Sequence, residues 1–224
     1  MKSFTRSFLV ISAFILVVSA CSTTQQAYLQ NVKMYFASDN DTTLTMEDVK
    51  EATVDLIYVR NGDRPQATMA LAFIESNQYK WLSQDGVIFI TENGRLVRSS
   101  GLDKNLIFVS NLSTDSLKDL QSRRNVPWNR VIDTEYGDYG VALSSQMSAS
   151  TDQLISIQTR QLKTTKYTES VSYQSSKYGK DEWTNTFWFH QESGQLLKSS
   201  QKTSSQSDNI EIVYLSRAMR LLED

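Results

Sequence analysis

Val87-Ile88-Phe89-Ile90-Thr91-Glu92-Asn93-Gly94-Arg95-Leu96-Val97-Arg98 reads as two short strands joined by a two-residue turn. Asn-Gly suits a type I′ turn, because both central residues need positive φ. That turn sets Glu92 opposite Arg95, Ile90 opposite Val97 and Phe89 opposite Arg98. Toward the N-terminus, Thr53–Val59 and Gln66–Ile74 read as strands flanking an Asn61-Gly62-Asp63 turn, and Tyr79–Leu82 as a short third strand. Toward the C-terminus, residues 139–174 alternate polar and apolar over long stretches, as in Leu154-Ile155-Ser156-Ile157-Gln158 and Ser170-Val171-Ser172-Tyr173. Such alternation marks antiparallel strands with one wet face. Ile210–Tyr214 supplies a closing strand. Helices are expected only at 46–51, where Thr45 stands three residues before an acid, at 114–121 after Ser113, and near 217–222. The fold class is therefore all-β and mainly antiparallel: a curved sheet, half-barrel or sandwich with a few short helices.

The hairpin has an echo a hundred residues on. Gly94-Arg95-Leu96-Val97-Arg98-Ser99-Ser100 matches Gly194-Gln195-Leu196-Leu197-Lys198-Ser199-Ser200, and each follows an aromatic strand, Ile88-Phe89-Ile90 or Phe187-Trp188-Phe189. Two readings stand: two related β units, 44–112 and 139–216, or hairpins drawing on the same few residue types. If Ser193-Gly194 is a second two-residue turn, His190 faces Leu197.

The N-terminus is a different kind of segment. Lys2 and Arg6 precede an apolar run from Phe8 to Val18, then Ser19, Ala20 and Cys21. The run is too short to span a bilayer, which takes about 20 residues. A basic start, a short apolar core and small residues before a cut site form a secretory signal. Val18-Ser19-Ala20-Cys21 resembles the bacterial lipobox, which implies a signal peptide at 1–20 and palmitate-type acylation of Cys21. Cys21 is the chain's one cysteine, so no intramolecular disulfide forms, and lipidation removes an otherwise exposed thiol. Two or three acyl chains anchor stably where one does not. Ser22, where the enterobacterial sorting rule reads aspartate as retention, implies the outer membrane, periplasmic side. Residues 21–43 then form a tether, and 44–224 a single β domain.

Composition excludes several classes. The chain has 23 basic and 25 acidic residues. Lys2 and Arg6 leave with the signal, so the net charge moves from −2 to −4. Nothing there drives binding to nucleic acid. His190 is the only histidine, and a lone strand histidine is far more often packing or surface than catalysis. With it and a lipidated cysteine, no His/Cys zinc site can be built. No phosphate loop, dinucleotide fingerprint or Gly-x-Ser-x-Gly elbow appears, so neither cofactor nor enzyme activity is expected. The carboxylate pairs Glu47-Asp48, Asp133/Glu135 and Asp181-Glu182 are the residues a glycosidase could use. Trp81, Trp128, Trp183 and Trp188 lie on or beside strands, and each is either core or a flat apolar face for a sugar or a protein partner.

The lipobox, the helix-to-strand passage Leu44–Val59, Met69-Ala70-Leu71-Ala72-Phe73, Trp81, the Asn93-Gly94 hairpin and Gly101-Leu102 together resemble the YjbF/GfcB family of capsule and exopolysaccharide lipoproteins. The resemblance covers most of the mature chain and is strongest over 44–112. It implies an all-β periplasmic lipoprotein linked to polysaccharide secretion or assembly, touching polysaccharide or export-machinery proteins, with no catalytic motif to carry over. Residues 183–200 also resemble the strand-turn-strand of LolA-like half-barrels. The rival expectation is therefore a carrier of lipid or lipoprotein in a concave β face.

Overall fold

The computed structural model describes residues 41–221 apart from 124, 149 and 150. The signal at 1–20, Cys21 and nearly all of the tether lie outside the described residues. Thirteen strands form one sheet, and every pair is antiparallel. They are β1 (Leu56–Asn61), β2 (Ala67–Glu75), β3 (Gln78–Ser83), β4 (Ile88–Glu92), β5 (Arg95–Ser100), β6 (Leu106–Val109), β7 (Trp128–Thr134), β8 (Val141–Ser148), β9 (Asp152–Ile157), β10 (Arg160–Ser175), β11 (Gly179–His190), β12 (Leu196–Gln201) and β13 (Ile210–Val213). The order is β5-β4-β3-β2-β1-β13-β12-β11-β10-β8-β7-β6, with β9 added beside β10.

The two ends of that path, β5 and β6, run side by side. Side chains replace the ladder at this seam. Leu106 N donates to Ser99 Oγ at 3.0 Å, and Arg98 Nε donates to the Ile107 carbonyl at 2.8 Å. The sheet is thus a nearly closed barrel. Its β1–β5 meander and its β7–β13 portion meet where β1 pairs β13.

Two apolar clusters fill the interior among the described residues. One gathers Ile57, Met69, Trp81, Phe89, Leu96, Phe187 and Ile212. The other gathers Leu106, Trp128, Ile132, Leu143, Val171 and Tyr173. Inward positions follow the strand period of two: Val141, Leu143, Ser145 and Met147 are buried, while Ala142, Ser144 and Gln146 are exposed.

Helix α1 (Met46–Glu51) starts as expected. Thr45 Oγ1 accepts from Asp48 N at 3.1 Å and Asp48 Oδ2 accepts from Thr45 N at 2.7 Å, a full capping box. The helix expected at 114–121 is broken into 3-10 turns at Leu112–Thr114 and Ser116–Lys118 and a one-turn α2 (Leu120–Arg123). The cause is Asp115, whose carboxylate accepts Leu117 N at 3.0 Å and is otherwise held by Arg95, so the chain must restart beyond it. The last helix, α3, is Leu215–Arg220.

Both hairpin registers need correction. Asn93 (φ 50°) and Gly94 (φ 86°) do form the tight turn, and Glu92 does oppose Arg95. A β-bulge then makes Val97 an extra residue, so Ile90 opposes Arg98 and Phe89 opposes Ser99. Ser193-Gly194 is not a two-residue turn. His190 N donates to the Gln195 carbonyl and Gly194 N to the His190 carbonyl, so His190 opposes Gln195, not Leu197. A matching bulge follows, with Trp188 opposite Lys198 and Phe189 opposite Leu196. Each bulge lets two consecutive residues, Leu96-Val97 and Leu196-Leu197, turn inward together.

Candidate functional site

Charged side chains occupy the space between the two apolar clusters. Arg95, at the start of β5, forks onto Asp115 (2.9 and 3.0 Å) and onto Glu169 of β10 (2.6 and 3.1 Å). Glu169 also accepts Ser145 Oγ at 2.6 Å and Asn185 Nδ2 at 2.9 Å. Arg130 of β7 donates to Ser145 Oγ at 2.8 Å and sits 3.9 Å from Glu169. Both guanidiniums lie over the Trp128 ring, Arg130 at 4.0 Å and Arg95 at 4.7 Å, and Arg95 also faces Phe187. All four ionic residues are buried. Such a group is tolerable only when every charge is paired and hydrogen-bonded, and here each one is.

The electrostatics follow from that geometry. Burial alone would raise the Glu169 carboxyl, but Arg95 and Arg130 outweigh it and hold it at about 2. Burial works against the Arg95 cation too, yet Asp115 and Glu169 leave it more strongly protonated than a free guanidinium. Burial brings Arg130 down to about 10, still charged at neutral pH.

The turn carrying Arg95 is tied across the barrel. Leu96 N donates to Gln201 Oε1 at 3.1 Å, and Gln201 Nε2 donates to the Gly94 carbonyl at 2.8 Å. The hollow left beside Arg95, Arg130 and Gln201 is only about 20 Å³.

A recess lies on the outer face of these strands. A groove of about 590 Å³ crosses β7, β8, β10 and β11. Two cross-strand rows form its floor. Asn129, Ser144, Ser172 and Glu182 are in register, as are Val131, Ala142, Gln174 and Lys180. Strands about 4.8 Å apart give this floor a span of about 14 Å. Its side chains mix short polar and apolar groups at the centre with Gln174, Lys180 and Glu182 toward one side, and they stand on strands locked from behind by the charge cluster.

The tryptophans divide. Trp81 and Trp128 are each 2 % exposed, so neither presents a face to a ligand; they are core. Trp81 Nε1 donates to Thr91 Oγ1 at 3.0 Å, and Trp128 Nε1 to the Asn111 carbonyl at 3.0 Å. Trp183 packs on Tyr173 and donates to the Lys202 carbonyl at 2.9 Å. Trp188 is half-buried, bonded to Gln153 at 3.0 Å and flanked by Lys166 and Lys198. The fold does not bring the four together.

The chemistry-bearing residues are equally separate. His190 Nδ1 lies 3.0 Å from Ser193 Oγ and closes its own loop. Asp48 caps α1, Asp133 accepts Gly140 N at 2.6 Å, Glu135 accepts Asn105 Nδ2 at 2.6 Å, and Asp181 pairs with Lys202 at 3.2 Å. Among the described residues, no cluster of three or more His, Cys, Asp or Glu could hold a metal, and no helix is long and apolar enough to cross a membrane.

Sequence reasoning passed over Arg95, Arg130 and Glu169, although a signal existed. Glu169 is in phase with inward Val171 and Tyr173, and Arg130 with inward Trp128 and Ile132. A charge on the apolar phase of a strand needs a buried partner.

Fold and interior define a class: a nearly closed antiparallel barrel whose interior is filled by apolar side chains and a paired charge cluster. Residues 29–215 match the family described as group 4 capsule polysaccharide lipoprotein GfcB, YjbF, and the chain belongs to that family. It is 28 % identical over 213 residues to the uncharacterized lipoprotein GfcB of Escherichia coli K12, covering 94 % of this chain and 98 % of that one. It is 30 % identical over 190 residues to the uncharacterized lipoprotein YjbF of the same strain, covering 83 % and 86 %. The crystal structure of the hypothetical lipoprotein YmcC from E. coli K12 superposes with a TM-score of 0.69 at 27 % identity, over 77 % of this chain and 88 % of that one.

Proposed function

We propose that this lipoprotein is a non-enzymatic accessory factor in capsule or exopolysaccharide secretion and assembly. It acts from the periplasmic side of the outer membrane, held there by lipid on Cys21, and meets glycan along the outer groove. Membership of the capsule lipoprotein family over residues 29–215 is the observation that carries this reading. The groove supports it further. Ser144, Ser172, Asn129 and Gln174 on a rigid sheet offer hydrogen bonds to a hydroxyl-rich chain, and Val131 and Ala142 between them offer apolar contact to its CH faces. The carrier alternative finds less support, because Arg95, Asp115, Glu169 and Arg130 stand where a dry lipid cavity would be.

The test is a deletion strain complemented with variants and assayed for surface polysaccharide. Wild type is expected to restore it. Cys21→Ala is expected to lose detergent-phase partitioning and most of the polysaccharide. Ser144→Arg with Ser172→Arg, which fills the groove from exposed positions, is expected to lower polysaccharide at normal protein abundance. Full polysaccharide without the gene would end the proposal.

A further inference from the structure

A second recess lies where the β2–β3 and β4–β5 turns come side by side. It holds about 220 Å³, below the range of about 300–1,000 Å³ typical of drug-sized ligands, so it is sized for one small ring. Its rim carries the amides of Asn77 (φ 64°) and Asn93 (φ 50°), each on a turn. Asn77 Nδ2 reaches Asn93 Oδ1 at 3.4 Å. That leaves the Asn77 carbonyl oxygen and the Asn93 amino group to face an occupant.

Two walls are aromatic and fixed from behind. Tyr79 stacks on Trp81 at 6.3 Å, and Phe189 meets the edge of Tyr167 at 5.6 Å. At the floor, Tyr214 is 3 % exposed and its hydroxyl has no hydrogen-bond partner. The Thr91 hydroxyl, which accepts from Trp81 Nε1, is its nearest polar neighbour. A buried hydroxyl left open is uncommon and calls for a reason.

Arg217 completes the recess. Its Nη1 donates to the Leu196 carbonyl at 2.6 Å and its guanidinium lies 4.5 Å over the Tyr214 ring. Among the described residues no carboxylate pairs with it. Arginine in such a place favours a planar anion that can take two parallel hydrogen bonds.

We propose that this recess binds one anionic sugar residue, a hexuronate unit. The CH face of the ring lies on Phe189 and Tyr79, the ring hydroxyls meet Asn77, Asn93 and Tyr214, and the carboxylate meets Arg217. This deepens the glycan reading above and rests on it.

The test uses the full chain purified in a sugar-free detergent, titrated with D-glucuronate, D-glucose and acetate and followed by saturation-transfer NMR and calorimetry. Glucuronate is expected to bind at least tenfold more tightly than either of the others. Arg217→Gln should remove about tenfold of that affinity and Arg217→Lys should restore part of it, as expected for a charge-assisted contact. Tyr214→Phe should weaken binding severalfold while shifting the thermal midpoint little, because its hydroxyl makes no well-formed hydrogen bond in the empty recess. Asn77→Gly keeps the turn conformation, removes the amide and should also weaken binding.

Equal affinity for glucose or acetate, no binding by glucuronate, or native affinity in variants that melt like wild type would overturn the proposal. Capsule oligosaccharide binding that survives Arg217→Gln and Tyr214→Phe would overturn the recess and leave the secretion role standing. Pocket-dependent glucuronate binding in a protein whose deletion spares surface polysaccharide would do the reverse.

Discussion

Glu169 is where the barrel's interior is most exposed to a single change. It receives Arg95, Ser145 and Asn185 together, and glutamine at this position cannot accept from all three while keeping the charge that balances two guanidiniums. Glu169→Gln is expected to cost about 3–5 kcal/mol, the scale for breaking a buried ion pair from one side, read in urea melts. The same residue shapes acid stability. Its carboxyl is held at about 2 in the fold, against an ordinary value of 4.5. The folded state therefore favours the ionised form, and that stabilisation is complete above about pH 4.5. It is lost as pH falls from there toward 2. Melts of Glu169→Gln across that window should be flatter with pH than those of the wild type.

The two echo glycines separate at the same scale. Gly94 (φ +86°) would place a Cβ 2.1 Å from Leu196 Cδ2, whereas Gly194 (φ +67°) faces open space. Gly194→Ala should cost about 1–2 kcal/mol for the left-handed backbone alone. Gly94→Ala should add about 1–3 kcal/mol of overpacking. Equal costs would mean that the Gly94 turn does not press on β12.

Among the elements, the seam between β5 and β6 is the least conventional joint. Leu106 N is buried and bonded to a side chain, Ser99 Oγ, where a strand partner would normally stand. Ser99→Ala leaves that amide without an acceptor, which costs about 1–3 kcal/mol. Hydrogen exchange at Leu106 should accelerate first, ahead of amides in the β10–β11 ladder. Unchanged exchange at Leu106 would show that the seam is closed by other contacts.

Legibility also differs by element. The 87–98 hairpin could be read because Asn-Gly dictates its turn, and α1 because Thr45 and Asp48 form a local box. The bulges at Val97 and Leu197 could not, since both residues fit an unbroken strand and only the demands of the shared core pull them inward. The expected helix at 114–121 failed for a related reason. The partner that breaks it, Arg95, lies 20 residues earlier in the chain. The exposed groove was hidden because a run such as Ala142, Ser144 and Gln146 is what any wet strand face looks like. Trp81 and Trp128 sat on strands either way, and only closure of the sheet decided that they face inward.

At the scale of the whole molecule, the decisive feature is what fills the barrel. A concave sheet of this length could hold an acyl chain if its inner face were apolar throughout. Here the Arg95 side chain reaches into the interior from the end of the β4–β5 turn, Gln201 ties that turn to β12, and Arg95 binds it to β10 and to the turn at Asp115. Admitting a lipid tail would separate these charges and leave them unpaired in a dry space, at a cost of several kcal/mol per ion. Burying methylenes returns about 0.8 kcal/mol each, so a long chain could compete only if the turn withdrew as a unit. The purified protein is therefore expected not to enhance the fluorescence of a dansylated fatty acid beyond what its detergent alone produces. Glu169→Gln, with the lock weakened, should enhance it first. Saturable, stoichiometric uptake by the wild type at neutral pH would mean that the hairpin is a movable plug, and the carrier reading would then displace the accessory one.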